Sequence, residues 1–477
     1  MGLKILRNIF ILLAVISIMS SSCKKDMTLL GGGQVSFSTD TVTFDTVFTA
    51  QGSFTTSFVI YNPQGQAITI SSIRMLHAAS SYFHLNIDGL AGNTATNLSI
   101  MGNDSAYVFA TVDIDPTNAN TPFLITDSLV VTLNGKEFYL PFEAYGQNAH
   151  YIVGDTLDTQ TWVNDKPYVI IHSAGINAGQ TLTIDPGCRI YMHQDSRLVI
   201  AGTLIAEGNK NDTILFIGDR LDRYYFRYQY NPGEWGGLYF TSYSTGSRLD
   251  YVRIENCGNA ALGAATAAIQ LTLDSVNSLN NPANPQLTMK HSIVQNSLGY
   301  GILNFGGTLV MSNSLINTTG LQALANIQGG FDSVVNCTFA NYGSDHSQNN
   351  TMTLLNYLYD PGTKKTTPGY LSAVIRNCIV YGGLENELFC DQVSSAAALI
   401  NFDHCLIKAD SFQSFVQYKT CLFDKDPIFA DTVKGDFHIK TGSPAIDAGV
   451  NVTLGDDLEG NTRPKGTGYD IGCYEAH

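Results

Sequence analysis

Charge is scarce in this chain, and positive charge scarcest. Only 14% of its 477 residues are Asp, Glu, Lys or Arg, with 26 bases against 41 acids and a formal charge of -15. Phosphate backbones are held by clustered cations, so this balance argues against nucleic acid as a partner. Neutral or cationic partners, glycans and Ca²⁺ among them, stay open. No long segment repeats apolar residues at helical spacing, which leaves no helix to join parallel strands in the βαβ manner. The apolar run Ile9–Ile18 is too short to span a bilayer. No CxxC pair stands with His, which argues against a zinc site, and the Asp-rich tail has no EF-hand or calcium-repeat spacing.

What is present is Gly, 44 of them, and many short alternating apolar runs. Five passages centred on Ser292, Ser314, Cys337, Cys378 and Cys405 share one pattern: an apolar residue at -3, Asn or His at -1, an apolar residue at +2. They are Met289-His291-Ser292-Val294, Met311-Asn313-Ser314-Ile316, Val334-Asn336-Cys337-Phe339, Ile375-Asn377-Cys378-Val380 and Phe402-His404-Cys405-Ile407. Most centres lie 22 to 27 residues apart, the spacing of a solenoid making one coil per repeat; one interval of 41 is either two coils or one coil carrying an insertion. Positions -3 and +2 differ by an odd number, so an unbroken strand would place them on opposite faces. A bend restores both to the interior, and Asn best tolerates the left-handed backbone such a bend needs. His291 and His404 are therefore read as turn residues. Leu198 to Gly208, Thr213 to Gly218 and Glu234-Trp235-Gly236-Gly237 resemble the opening coils of right-handed parallel β-helix proteins.

Upstream, residues 34–148 alternate as half-buried strands, from Val35 and Phe37 through Val108, Ala110 and Val112. Leu129, Val131 and Leu133 run into Asn134-Gly135, a strong hairpin signal, and Phe138, Leu140, Phe142 and Ala144 lead out. About seven strands in this length suit an immunoglobulin-like sandwich. Ser57–Asn62, Ile68–Ile70 and the closing Phe142–Gly146 resemble bacterial Ig-like domains of the ASPM and hydin type, which implies a spacer or docking module.

At the start, Lys4 and Arg7 precede Ile9–Ile18, and Ser20-Ser21-Ser22 precede Cys23. Small residues directly before Cys resemble the lipobox of bacterial lipoproteins, which implies acylation of Cys23, attachment to a membrane, and residence in the envelope of a Gram-negative cell, at the outer membrane and on its surface. At the other end Gly442–Gly449, Asp457–Asn461 with Arg463, and Tyr469–Glu475 look like the "choice-of-anchor Q" module of secreted β-helix proteins. The expected organisation is 1–23 signal and lipidated Cys, 24–33 linker, 34–148 Ig-like sandwich, 149–430 right-handed parallel β-helix and 431–477 C-terminal cap, all-β throughout.

Eight cysteines remain beyond Cys23. Three share one repeat position, which suggests stacked small buried groups, with disulfides as the alternative. Function is expected on loops held out by the rod. The insert at 219–235 interleaves Tyr224, Tyr225, Phe226, Tyr228, Tyr230 and Trp235 with Arg220, Arg223 and Arg227. Rings stack on sugars and guanidinium groups pair with carboxylates or sulfates, so Tyr224, Tyr225, Tyr228, Tyr230, Trp235, Arg223 and Arg227 are the glycan-binding candidates, with an acidic polysaccharide or a cell-surface protein as partner. The alternative is that these rings only cover the adjacent coil. A polysaccharide lyase or hydrolase with an atypical site is the competing function. Asp345, His346, Lys364 and Lys365, or Glu385, Glu387 and Asp391, would supply its acids and bases, against a plain reading as solvated loop charges. No cofactor is implied; Ca²⁺ at Asp447, Asp456, Asp457 or Asp470 competes with ordinary turn and capping roles for those carboxylates.

Overall fold

The computed structural model describes residues 28–223, 231–260, 265–272, 286–342 and 349–476. Its named elements are β-strands, apart from a single 3₁₀ turn, Ala78–Ser80. It divides into two compact units, residues 1–148 and 149–477.

The first unit is a sandwich of two five-stranded sheets. Thr56–Tyr61, Phe83–Ile87 and Ser105–Val112 lie in one; Val42–Phe48, Ile68–Met75, Phe123–Leu133 and Lys136–Gln147 lie in the other. Alternation decides the faces: Phe44, Phe58, Phe83 and Phe142 point inward and meet ring to ring at centroid separations of 5.3 to 5.7 Å. The expected hairpin is present, with Asn134 at φ 48 and Gly135 at φ 82, the backbone that its two-residue turn requires.

The second unit is a parallel β-helix whose coils each lay down three short strands, making three faces. The first face holds Thr203–Glu207, Ser247–Asp250, Leu287–Lys290, Thr308–Ser312, Gly330–Val335, Leu371–Arg376 and Ala398–Asp403 in consecutive parallel register. The second holds Ile214–Gly218, Val252–Glu255, Ile293–Ser297, Leu315–Thr319, Thr338–Asn341 and Ile379–Gly382. The third holds Leu238–Phe240, Ala267–Thr272, Tyr300–Phe305, Leu324–Asn326, Met352–Leu355 and Leu388–Asp391.

The repeat is the corner between the first and second faces. Tyr251, His291, Asn313, Asn336, Asn377, His404 and Thr420 stand there with φ between 39 and 52. The bend turns the -3 residues into one interior row, Leu249, Met289, Met311, Val334, Ile375 and Phe402, and the +2 residues into another, Ile254, Val294, Ile316, Phe339, Val380 and Ile407. Burying each such side chain contributes about 1.5–3 kcal/mol. Asn377 donates to Asn336 Oδ1 at 2.9 Å across the corner, so its amide binds the neighbouring coil as well as tolerating the bend. The interval of 41 is one coil with an insertion, because Gly330–Val335 pairs directly with Leu371–Arg376 and the hairpin Tyr357–Asp360/Lys365–Pro368 loops out between them. The eight cysteines of this unit are free thiols, seven of them buried.

The closing segment lies along the flank of the rod. Phe429, Phe437, Ala445, Ile471 and Cys473 pack on Leu315, Ala340, Ile379 and Leu406, which face outward from successive coils of the second face. Asn377 exchanges two bonds with Val450, at 2.7 and 2.9 Å, and Cys473 N donates to Thr338 Oγ1 at 3.0 Å.

Candidate functional site

The insert that the sequence points to behaves structurally where it is described. Trp235 is fully buried, stacked 6.5 Å from Phe216, with Nε1 donating to Glu255 O at 2.9 Å. A ring in that position has no face for a ligand, which corrects its assignment as a glycan contact. Arg223 is turned back on the fold: Nε donates to both Glu234 oxygens at 2.9 and 3.0 Å and Nη2 to Gly218 O at 2.5 Å. It holds the base of the insert and is unavailable as an anion clamp. Tyr224, Tyr225, Arg227, Tyr228 and Tyr230 lie outside the described residues, as do Cys23, Asp345 and His346.

Of the other candidate acids Glu385 is exposed, and the rest are engaged by their neighbours. Glu387 is buried and accepts from Thr351 N, Thr351 Oγ1 and Leu384 N at 2.6–2.9 Å, the bonding of a turn brace. Asp391 accepts the Tyr357 hydroxyl at 2.7 Å. In the tail, Asp457 accepts the amides of Glu459, Asn461 and Glu475, and Asp470 those of Asp447 and Ala476. Asp456 approaches His291 Nε2 at 3.3 Å, while Asp250 takes Nδ1 of the same ring at 2.8 Å.

Two arrangements escaped the sequence. One is a pair of His–Asp contacts on adjacent coils: His193 Nδ1 meets Asp219 Oδ2 at 2.6 Å, and His172 Nδ1 meets Asp195 Oδ2. Burial pushes the Asp219 carboxyl up, against the bond and charge of His193. Both imidazole rings are about half exposed or more. The only sequence signal was a His two residues after one strand core and an Asp one coil later, which register alone brings together.

The other arrangement is a cleft of about 660 Å³ between the second face and the closing segment. Its floor is Ile293 and Leu315 with the amides Gln295, Asn296 and Asn317; Arg253, Tyr342, Lys434 and Tyr474 wall it. Asn296 and Thr318 bend the chain at the second corner with φ 58 and 52, and Asn296 Nδ2 donates to Asn256 Oδ1 at 2.6 Å. Tyr474 stacks on His438 at 3.9 Å, and Tyr342 packs on Phe437 at 6.1 Å and on Phe429 at 6.4 Å, so both rings are held rigid. Arg253 Nε bonds Glu255 at 2.7 Å and Lys434 Nζ bonds Asp431 at 2.9 Å, and both groups have further donors. Asn317 is 2% exposed; its Oδ1 accepts the Thr318 hydroxyl at 2.8 Å, while its Nδ2 has no acceptor in the protein. No carboxylate lines the cleft among the described residues. Rings, amides and cations around an apolar floor are the equipment for holding a polyhydroxylated molecule by stacking and hydrogen bonds.

No protein-family model matches this sequence, and no curated protein does. Among solved structures, a family 123 glycoside hydrolase from Clostridium perfringens is similar at a TM-score of 0.17 and 12% identity. The match covers 24% of this chain and spans 25% of that enzyme's length, too little to bear on fold or activity.

Proposed function

We propose that this chain is a cell-envelope lipoprotein whose β-helix binds glycans without catalysis, in the cleft between the second face and the closing segment. The observation that carries the reading is the lining itself: rigid Tyr342 and Tyr474 rings beside Asn296, Asn317, Gln295, Arg253 and Lys434, without a carboxylate among the described residues. Glycoside hydrolysis uses two facing carboxyl groups, and this cleft offers donors and rings in their place. Attachment to the membrane through an acylated Cys23 follows from the lipobox resemblance, and the tail's likeness to the choice-of-anchor Q module supports a place in the envelope of a Gram-negative cell. The Ig-like unit serves as a spacer or docking module.

The test has two arms. Bacteria expressing the full chain and fed a radiolabelled fatty acid should label it, and Cys23→Ser should abolish the label. Incubated with a panel of polysaccharides, the protein should retain at least one and release no new reducing or unsaturated ends. The competing reading is a lyase or hydrolase, favoured by the His193–Asp219 pair with its half-exposed ring. New chain ends that vanish in His193→Ala would establish that reading instead.

A further inference from the structure

We infer that the cleft takes an anionic sugar, with a carboxylate or sulfate seated between Arg253 and Lys434 above the Asn317 amide; this rests on the glycan-binding reading of the same site. Three features of the lining point one way. In a chain of formal charge -15, both charges that line this cleft are positive. Lys434 is held loosely, its side chain 81% exposed beside Asp431, so a ligand oxygen can share or displace that pairing. Arg253 is held more firmly, 39% exposed with two nitrogens on one oxygen of a Glu255 side chain that is 16% exposed. Arg253 binds Glu255 through Nε and Nη2, which leaves the Nη1 edge of the guanidinium open for a second acceptor.

The third feature is Asn317. Buried amide donors are almost always matched, and leaving one unmatched forfeits its hydration without a replacement bond. Its Nδ2 lacks a protein acceptor although the residue forms part of the cleft floor. Two cations and an unmatched amide donor, with no carboxylate in the lining among the described residues, are complementary to a group made of acceptors only. Carboxylate and sulfate are such groups. The half-buried Tyr342 ring would flank the sugar that carries the charge, with Tyr474, 7% exposed and stacked on His438, forming the wall of the cleft.

The full chain would be tested for retention on immobilised alginate, polygalacturonate, hyaluronan and chondroitin sulfate, on their carboxyl-reduced or desulfated forms, and on dextran and mannan. The expected result is retention of at least one acidic polymer. Removing its charge should abolish retention, about 0.5 M NaCl should weaken it, and Arg253→Gln should weaken it roughly tenfold or more, with a smaller loss in Lys434→Ala. Tyr243→Ala, in the turn after Leu238–Phe240, should leave binding unchanged. Retention that is indifferent to charge removal overturns the inference and leaves glycan binding standing. Retention unaffected by either cation variant overturns the placement in this cleft. Retention of no polysaccharide at all overturns both readings. Folding of each variant is checked by its thermal melt, and Lys434, being 81% exposed, supplies a substitution that leaves packing untouched.

Discussion

Asp332→Asn should stabilise the β-helix at neutral pH and do nothing of the kind in mild acid. Asp332 points into the interior of the rod, in register between Leu309 and Ala373, and is fully buried. Its oxygens accept from Asn304 Nδ2 at 2.9 Å and from Asn326 Nδ2. Burial outweighs those two bonds and pushes the carboxyl from 3.8 up to about 6. The native state therefore binds this proton more tightly than the unfolded chain does. Stability from this group is complete below pH 4 and is lost as pH rises through about 6. A shift of about two units corresponds to roughly 3 kcal/mol of destabilisation at pH 7 and above. An amide in its place cannot ionise, and Asn326 Oδ1, which has no donor, can receive its N–H once the Asn326 amide turns over. Urea unfolding of wild type and variant would be followed from pH 4 to pH 8. The difference should grow from near zero or slightly unfavourable at pH 4 to as much as about 3 kcal/mol in the variant's favour at pH 8. A difference that stays flat with pH would refute the account, because it would mean the carboxyl is ionised at no net cost or that the amide simply packs differently.

Two further expectations follow from the corners. Asn377→Ala should cost about 2–4 kcal/mol, since Ala at φ 50 lacks the short polar side chain by which Asn tolerates the left-handed backbone and also loses the bonds to Asn336 and Val450, whereas Asn377→Gly should recover the backbone part alone; equal losses in both would deny the conformational contribution. Three coils earlier at the same corner, burial opposes charge on His291, but its bond to Asp250 and the charges of Asp250 and Asp456 hold its pKa above the usual 6.5. The folded form keeps this proton better, so the stability it brings is complete below the unfolded pKa and fades as pH rises through the folded one; Asp456→Asn should lower the His291 pKa seen by NMR titration and shrink that fade, and an unmoved titration would contradict the pairing.

The solenoid was legible because its determinants are local. A period-two pattern interrupted by Asn or His says where a strand bends, and the same five passages define two interior rows without reference to anything distant. The Asn134-Gly135 turn was legible for the same reason. The site was far less so. Aromatic and Arg content drew the eye to 219–235, yet Trp235 and Arg223 proved to be core and brace, since composition cannot tell a ring over a ligand from a ring over the adjacent coil. Asp332 carried no sequence signal at all: an acid inside a strand normally reads as outward, and only the register between Leu309 and Ala373 turns it in.

By itself, then, the order of residues determined the all-β class, the coil repeat and the left-handed corners, because alternation and φ preference act over a few bonds. Only the tertiary structure decided where the closing segment lies and what that creates. Arg253 and Lys434 are far apart in the chain and share a cleft because Phe437, Ile471 and Cys473 found outward-facing Leu315, Ala340 and Ile379 to bury against. That docking follows from long-range apolar burial, which no short window of sequence expresses.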